Sequence, residues 1–287
     1  MTTPPGSVVI TGCSTGIGEC AALRLDRLGW RVFAGVRRAE DGRRLAEKAS
    51  HQLRWILLDV TDEDSIAAAT AQVAEAVGSN GLQGLVNNAG IAVGGPIEGV
   101  PLDQLRWQFE VNVIGLVAVT QAMIPLLRPA QGRIVNIGSI AGRVTSPIVG
   151  AYCASKHAVE AVTDALRLEL GPSGMYASVI EPGVILTPIW DKALAKSGSA
   201  LSAEVAQRYS AEVTLIVKTA RRARKHGIPA DRVADVIVHA LSATRPRHRY
   251  VVGRDARIRL ALQTILPRRW MDALVHRVVR KYGQPRT

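Results

Sequence analysis

The hydrophobic residues of this chain recur with two different spacings, and segments of the two kinds follow one another in turn. Short apolar runs rich in β-branched residues predict strands at Ser7–Thr11, Arg31–Val36, Leu53–Leu58, Gly84–Asn87, Arg133–Ile137, Tyr176–Ile180 and Arg249–Val252. Apolar residues at helical spacing predict helices at Glu19–Leu28, Asp62–Val77, Pro101–Arg128, Gly150–Leu170 and Pro229–Ala243. This alternation predicts an α/β fold, a doubly wound, seven-stranded parallel sheet with helices on both faces.

Two stretches do not fit this alternation. Residues 191–228 are polar and irregularly helical, and a connection longer than about fifteen residues is often a lid over a binding site. After the last strand, Asp255–Leu266 and Arg268–Tyr282 predict two more helices, separated by Pro267. We therefore expect one catalytic domain over residues 1–254, with a substrate lid at 191–228, and a helical tail over residues 255–287.

The composition is that of a folded domain with an unusual charge distribution. The 287 residues are 47% hydrophobic and 21% charged, enough for the core of one large α/β domain. The net charge of +12 is uneven: residues 1–214 carry 18 basic and 20 acidic side chains, whereas residues 215–287 carry 18 and 4. Because aromatic residues are only 4% and the body is near neutral, a nucleic-acid-binding protein is disfavoured.

The cysteines and the N-terminal residues bear on the compartment. Cys13, Cys20 and Cys153 are odd in number and lack metal-ligand spacing, so we expect reduced thiols and no metal site. Residues 1–7 lack the basic and apolar regions of a secretion signal, and no run of about eighteen uncharged apolar residues occurs. These features predict a cytoplasmic protein.

A glycine-rich loop follows the first strand. It reads Thr11-Gly12-Cys13-Ser14-Thr15-Gly16-Ile17-Gly18, a Gly-x-x-x-Gly-x-Gly spacing rather than the standard Gly-x-Gly-x-x-Gly. Such a loop, leading into a helix, can bring backbone N–H groups against a pyrophosphate. The alternative is a glycine-rich turn with no ligand.

The end of the second strand bears on the choice of dinucleotide. Many NAD enzymes place an acid there to accept a hydrogen bond from the ribose 2′-hydroxyl, but this chain has Val36-Arg37-Arg38, and Glu40 and Asp41 lie too far along. A guanidinium suits a 2′-phosphate. The sequence therefore favours NADP(H), with NAD(H) as the alternative cofactor and a solvated turn as the alternative role of the arginines.

A tyrosine, a lysine and a serine form the candidate chemistry. Tyr152 and Lys156 are four residues apart, so on a helix they share a face, and Ser139 precedes the tyrosine by thirteen residues. A nearby cation favours the phenolate, so we expect Lys156 to lower the pKa of Tyr152 and to suit it for proton exchange with a substrate oxygen. The alternative for the pair alone is two solvated side chains on a helix surface.

With Asn87-Asn88-Ala89-Gly90, Asn112 and Pro182-Gly183, these motifs resemble the short-chain dehydrogenase/reductase family over residues 5–255. Leu58-Asp-Val-Thr-Asp62 is most similar to its retinol and hydroxysteroid dehydrogenase branch. The resemblance implies a Rossmann-like fold and NADP(H)-dependent interconversion of a lipophilic alcohol and its ketone or aldehyde. It also implies a homodimer or homotetramer.

The same resemblance assigns roles to individual residues. It makes Asn112, Ser139, Tyr152 and Lys156 catalytic, with Asn112 either a satisfied core amide or a residue whose backbone distortion holds a water for proton relay. The cofactor-binding residues that it implies are Gly12, Ser14, Thr15, Gly16, Ile17, Gly18, Arg37, Asp59, Val60, Asn88, Ala89, Gly90, Tyr152, Lys156, Pro182, Gly183 and Thr187. A non-catalytic NADP(H)-binding sensor would predict the loss of a catalytic residue, and none is lost.

Apolar residues near the carboxyl ends of strands either belong to the core only or line an apolar substrate pocket, for which the family resemblance implies a steroid, retinoid or lipid-like ligand. They are Val144, Ile148, Val149, Val184, Ile185, Leu186, Ile189 and Trp190.

The last helix is basic and amphipathic. Apolar residues follow one side, namely Trp270, Met271, Leu274, Val275 and Val278, while Arg268, Arg269, Arg277, Arg280 and Lys281 occupy much of the remainder. This composition suits peripheral contact with an anionic membrane. The alternative, which we favour from the sequence, is that the apolar side docks on the enzyme body or across a dimer.

Overall fold

A computed structural model describes residues 6–187, 189 and 202–282 of the chain. Trp190 and residues 191–201 of the predicted lid lie outside the described residues. The strands are β1 (Ser7–Ile10), β2 (Arg31–Val36), β3 (Leu53–Leu57), β4 (Gly84–Asn87), β5 (Arg133–Ile137), β6 (Tyr176–Pro182) and β7 (Arg249–Val252). The helices are α1 (Gly16–Arg27), α2 (Ala39–Ala46), α3 (Glu63–Val77), α4 (Leu102–Phe109), α5 (Gly115–Leu127), α6 (Gly150–Leu170), α7 (Ala203–Arg208), α8 (Ser210–His226), α9 (Ala230–Ser242), α10 (Arg254–Ile265) and α11 (Arg268–Tyr282).

The seven strands form one parallel sheet in the order β3-β2-β1-β4-β5-β6-β7, which confirms the predicted sheet. The direction of winding reverses between β1 and β4: Val8 pairs with Val32 on one side and with Gly84 on the other. Ligands of open α/β sheets bind outside the carboxyl ends of the strands at such a reversal. The glycine-rich loop and Asn88 follow the two strands concerned.

Helices cover both faces of the sheet, as predicted. On one face α1, α2 and α9 pack over β1, β2 and β5 through buried residues that include Leu25, Leu45 and Ile237. On the other face α3, α5 and the end of α6 enclose a second core around Leu85, Val119 and Ile134. Apolar side chains alternate in direction along each strand, so both faces of the sheet supply core residues.

Helix α2 is absent from the sequence prediction. Its only large apolar residue is Leu45, and four of its eight residues are charged near the middle, so the helical spacing is weak. Tertiary contacts stabilise the helix instead. The Trp55 side chain of β3 packs directly against the backbone of Gly42, where an added Cβ would lie 2.5 Å from the ring.

The predicted helix Pro101–Arg128 is continuous but irregular. A π-helical segment, Glu110–Ile114, joins α4 to α5 and carries Asn112. By length and hydropathy alone, Leu102–Leu127 could cross a membrane, with mean hydropathy 1.6 and 44% of the apolar window buried. Because α5 packs against α3 and the sheet, its apolar side chains have a place in the core.

The tail forms two helices, as predicted. Helix α11 lies against α8, and its Val279 is buried. Trp270 and Leu274, however, are 57% and 40% exposed. The amphipathic helix therefore docks on the body with one part of its apolar side and presents another part outward.

Candidate active site

The glycine-rich loop is pressed against the end of β4. Gly12 has φ +72°, and a Cβ there would lie 2.9 Å from Ala89 Cα. A Cβ on Gly18 would lie 2.4 Å from the carbonyl oxygen of Gly12. These contacts require glycine at both positions. They hold the loop over the N-terminus of α1, whose N-cap Thr15 leaves the first-turn N–H groups uncapped by its side chain.

A second set of contacts ties this loop to residues 88–90. The Thr11 hydroxyl accepts hydrogen bonds from the backbone N–H groups of Asn88 (3.0 Å) and Ala89 (2.9 Å). The Asn88 amide in turn donates to the carbonyl oxygens of Thr11 (2.9 Å) and Gly12 (3.1 Å). The structure thus brings together the predicted cofactor residues of the first and fourth strands.

The end of β2 presents one unpaired guanidinium. Arg37 is exposed, and its side chain makes no hydrogen bond or ion pair with any residue that the structure describes. Arg38 instead pairs with Asp41 at 3.2 Å, and Arg44 bridges Asp41 (3.0 Å) and the carbonyl oxygen of Ser14 (2.9 Å). The sequence analysis missed Arg44, although its i,i+3 spacing from Asp41 on a charged segment is a signal for this pair.

Further predicted cofactor residues follow β3 and β6. Asp59 accepts hydrogen bonds from the Thr61 N–H (3.0 Å) and hydroxyl (2.8 Å), and Val60 is buried beside it. Gly183 donates to the carbonyl oxygen of Val252 at 2.8 Å, directly after Pro182.

Asp255, which the sequence analysis did not single out, fixes the turn after β6. It accepts a hydrogen bond from the Val184 N–H at 3.0 Å, and a Cβ on Gly183 would lie 2.5 Å from its carboxylate. Thr187 follows on the same segment, half-buried.

Three of the four candidate catalytic side chains converge at the carboxyl end of β5. Ser139, Tyr152 and Lys156 are 8%, 6% and 6% exposed. Ser139 begins a short helical turn and hydrogen-bonds the Tyr152 phenol. The Lys156 ammonium donates to the carbonyl oxygen of Ile137 at 2.7 Å and lies 5.9 Å from the centre of the Tyr152 ring.

The charge states of this group differ from the sequence prediction. Burial raises the pKa of Tyr152 to about 12, against a lowering by the hydrogen bond from Ser139. Burial also lowers the pKa of Lys156 to about 8, against an opposing effect of Glu160. The predicted lowering of the pKa of Tyr152 is therefore wrong for the protein alone, because burial disfavours the phenolate.

Asn112 is a buried amide within a distorted stretch of backbone. Its side chain is a satisfied core amide: it accepts from the Ile91 N–H (2.8 Å) and donates to the Ile91 carbonyl (3.0 Å) and to the Ser155 hydroxyl (3.1 Å). Its backbone is distorted, since it lies within the π-helical segment. Ser155 adjoins Lys156, so Asn112 connects this segment to the tyrosine-bearing helix.

Gln108, which the sequence analysis missed, makes a matching pair of bonds. It accepts from the Val93 N–H (2.7 Å) and donates to the Ile91 carbonyl (2.8 Å).

Part of the predicted apolar pocket surrounds Tyr152. Val149 and Ala92 are buried against it, with Ile189 and Ile216 of α8 packed alongside. Val144 belongs to a separate cluster with Ile140 and Ala256, so it does not line this pocket.

A cavity of about 750 Å³ lies elsewhere, among α8, α9, β7 and α10. Its lining comprises Val184, Thr219, Gly227, Ile228, Arg232, Asp235, Val236, Val251, Val252, Gly253, Arg254, Asp255 and Arg257.

A doubly wound parallel sheet with a glycine-rich loop at its reversal point and a buried Ser-Tyr-Lys group beside it defines a dehydrogenase of the Rossmann type. The sequence profile of the short chain dehydrogenase family matches residues 7–198. The chain belongs to this family, and it is an oxidoreductase.

Curated relatives cover almost the whole chain. It is 38% identical over 277 residues to retinol dehydrogenase 16 of Mus musculus, and the alignment covers 94% of this chain and 87% of that protein. It is 39% identical over 285 residues to 17-beta-hydroxysteroid dehydrogenase type 6 of Rattus norvegicus (96% and 90%). It is 37% identical over 281 residues to an NADPH-dependent 3-dehydrocapnine reductase of Ornithobacterium rhinotracheale (96% and 98%). The resemblance to the retinol and hydroxysteroid branch is confirmed.

The fold agrees with solved structures of the family. A short chain dehydrogenase from Burkholderia cenocepacia J2315, solved with NADP, superposes with a TM-score of 0.75 at 23% identity and covers 96% of this chain and 99% of that chain.

Proposed function

We propose that this protein is an NADP(H)-dependent oxidoreductase that interconverts a lipophilic primary or secondary alcohol and its aldehyde or ketone. The observation that carries the proposal is the convergence of Ser139, Tyr152 and Lys156, all buried, at the carboxyl end of β5. That edge also carries the glycine-rich loop, which would hold a dinucleotide on the same side of the sheet as these groups.

The loop fits a dinucleotide because its glycines place no side chain between the backbone N–H groups and a pyrophosphate at the α1 N-terminus. Gly12, Gly16 and Gly18 would hold the pyrophosphate, and Lys156 the ribose next to the nicotinamide. When bound, NADPH supplies the hydride.

The protein's own groups handle the oxygen of the substrate. Tyr152 donates a proton to the carbonyl oxygen, and Ser139 hydrogen-bonds the same oxygen and stabilises negative charge as it develops. Lys156, while cationic, stabilises the phenolate that proton donation leaves behind. The raised pKa of Tyr152 keeps it protonated at neutral pH, which supports the role of proton donor in the reducing direction.

Preference for NADP(H) over NAD(H) rests on Arg37. Its guanidinium is exposed and unpaired among the described residues, and Asp41, four residues further on, is engaged by Arg38 and Arg44. A 2′-phosphate would give Arg37 the anion that it lacks. The NADPH dependence named for the Ornithobacterium relative supports this choice.

A lipophilic substrate is supported by the pocket and by the relatives. Val149, Ile189 and Ile216 place apolar side chains around Tyr152. Two of the relatives are named for retinol and for a hydroxysteroid. The substrate class proposed is a retinoid, steroid or lipid-like alcohol or carbonyl.

The decisive experiment is Tyr152→Phe, assayed by NADPH oxidation with a panel of lipophilic aldehydes and ketones. The variant keeps the ring and loses the proton donor, so turnover is expected to fall by about two to four orders of magnitude while NADPH still binds. Lys156→Met is expected to lose activity and also to bind NADPH more weakly. Near-native turnover by Tyr152→Phe would exclude this tyrosine as the acid.

We further propose that the protein is cytoplasmic and that its tail makes peripheral contact with anionic membranes. Apolar side chains on α10 and α11 face outward: Ile258, Ile265, Trp270 and Leu274 are 60%, 76%, 57% and 40% exposed. Residues 254–281 carry eight basic and two acidic side chains, which complement an anionic surface. Helix α8 joins this surface to the site, since it lies against α11 and places Ile216 beside Tyr152.

A homodimer or homotetramer remains part of the proposal. Small or apolar side chains on the outer face of α6, namely Ala154, Ala161, Ala165 and Leu168, are exposed in the single chain. Small side chains let a second helix approach closely. Sedimentation of the purified chain as a monomer would contradict this assignment.

A further inference from the structure

Two buried carboxyl groups lie behind the Tyr152–Lys156 turn and have no part in the chemistry above. Glu160 is on α6, four residues after Lys156, and Glu181 is near the end of β6, directly before Pro182. The Glu181 side chain is 0% exposed and that of Glu160 is 8% exposed. Burial of a carboxylate is costly unless it is compensated.

One guanidinium compensates both. Arg249, at the start of β7, contacts Glu160 at 2.9 Å and Glu181 at 2.7 Å. Arg143 adds a longer contact to Glu181 at 3.3 Å, and Asp164, half exposed, also touches Arg249 at 3.5 Å. Two buried carboxyls therefore face one closely bound cation.

Each carboxyl also has one oxygen that remains without a donor. Glu160 Oε1 and Glu181 Oε2 are buried and accept no hydrogen bond from the residues that the structure describes. The two carboxyl groups lie within hydrogen-bonding reach of each other. Two ionised carboxylates there would repel each other, whereas a single proton shared between the two groups removes this repulsion. Burial and the charge of Glu181 raise the pKa of Glu160 to about 7, despite Arg249.

The pair communicates with Lys156 through Glu160. Residues four apart on a helix share a face, and Glu160 opposes the lowering of the pKa of Lys156 by burial. The backbone makes room for this approach: a Cβ on Gly138 would lie 3.0 Å from Glu160 Oε1, and one on Gly142 would lie 3.0 Å from Glu160 Cγ.

We propose that Glu160 and Glu181 share one proton and act as a positioning pair that sets the charge of Lys156. With the proton on Glu181, Glu160 is a carboxylate and keeps Lys156 an ammonium. With the proton on Glu160, Lys156 no longer has a neighbouring carboxylate that favours its ammonium form. Neither acid touches the substrate, and the consequence for turnover rests on the proposed role of Lys156.

The pair predicts opposite effects for two substitutions. Because the pKa of Lys156 is lowered, its cation is present below about pH 8 and lost as pH rises. Glu160→Gln removes the supporting carboxylate, so Lys156 is expected to titrate lower by roughly 1 pH unit. Glu181→Gln leaves the whole negative charge on Glu160, so Lys156 is expected to titrate higher. Asp164→Asn is the control: it touches Arg249 but lies two turns from Lys156, so no shift is expected.

Two readouts are measured on each full-length variant. The first is the ¹³Cε chemical-shift titration of labelled lysines, feasible because the chain has seven, with Lys156 assigned by its absence in Lys156→Met. The second is the alkaline limb of kcat/KM for carbonyl reduction by NADPH. Both midpoints are expected to move together, down in Glu160→Gln and up in Glu181→Gln.

The outcomes separate this inference from the proposed function. Lysine midpoints that stay in place, or that move in the same direction in both variants, would overturn the shared proton. If one variant fails to fold, the direction of shift in the other decides. Midpoints that move as expected in an enzyme that reduces no carbonyl would uphold the pair and refute the reductase assignment.

Discussion

At the scale of single residues, burial can move the pKa of a side chain in the direction opposite to the one that its neighbours along the chain predict. Tyr152 and Lys156 sit one helical turn apart, as their spacing predicts, yet burial moves the pKa of Tyr152 up and that of Lys156 down. Desolvation is the largest cause of both shifts. The result is a tyrosine suited to giving a proton and a lysine whose charge depends on its neighbours.

Arg37 provides the residue-scale test of the coenzyme. Arg37→Ala is expected to lower kcat/KM for NADPH selectively, with little change for NADH. The loss of charge-assisted hydrogen bonds corresponds to about 2 kcal/mol or more of transition-state stabilisation. The measurement is steady-state kinetics with both coenzymes.

Arg54→Ala is the matched control for this prediction, because Arg54 is also exposed but lies within β3 rather than at the end of β2. A wild-type enzyme that prefers NADH would contradict the assignment.

At the scale of elements, α1 and its loop act as one unit. Gly18 is inside the helix, where alanine normally adds about 1 kcal/mol of stability. Here a Cβ would lie 2.4 Å from the Gly12 carbonyl oxygen and 2.5 Å from the Asn88 amide. Gly18, a poor helix former, is needed in the helix because the loop at Gly12 packs this closely against it.

Gly18→Ala should therefore damage binding rather than improve the helix. The added methyl must displace the loop, so NADPH affinity in a fluorescence titration is expected to fall at least about tenfold, or 1.4 kcal/mol. Gly171→Ala, where an added Cβ meets nothing within 4 Å, should leave the affinity unchanged. Equal affinities for both variants and wild type would show that the loop does not hold the cofactor.

The π-helical segment between α4 and α5 is a second case of an element shaped for its surroundings. Such segments are rare and often occur at functional sites. Asn112 within it bonds both backbone groups of Ile91 and the hydroxyl of Ser155. It thereby links the segment after β4 to the helix that carries Tyr152.

At the scale of the whole molecule, the excess of basic residues lies in the last part of the chain, residues 215–287, which includes the tail. The tail lies close to the candidate active site. Helix α11 lies against α8, and α8 reaches the apolar cluster around Tyr152. A lipophilic substrate drawn from a membrane would meet this surface first.

The membrane proposal predicts salt-sensitive binding to anionic vesicles. Full-length protein is expected to co-sediment with phosphatidylglycerol-containing vesicles at low salt, less so at high salt, and not with pure phosphatidylcholine. The double variant Trp270→Ala/Leu274→Ala should lose most of this binding, because both side chains are exposed on α11.

Leu28→Ala and Leu57→Ala remove exposed apolar side chains elsewhere and serve as controls. If full-length protein stays in the supernatant with anionic vesicles at low salt, the tail is a structural element only.

The sequence by itself was sufficient for what depends on neighbours along the chain. The seven strands, the tyrosine-bearing helix and the tail helices lie where apolar spacing predicts them, because periodicity within a window of about fifteen residues decides local structure. The glycine-rich loop and the Tyr152–Lys156 spacing belong to this class. They were enough to indicate the family.

Only the tertiary structure decided what depends on contacts between distant segments. Arg44 reaches Ser14 across 30 residues, and Arg249 reaches Glu160 across 89. No local pattern marks such partners, since each is common on solvated surfaces. Burial, which sets the charge states of Tyr152, Lys156 and Glu160, likewise arises when strands and helices far apart in sequence close around them.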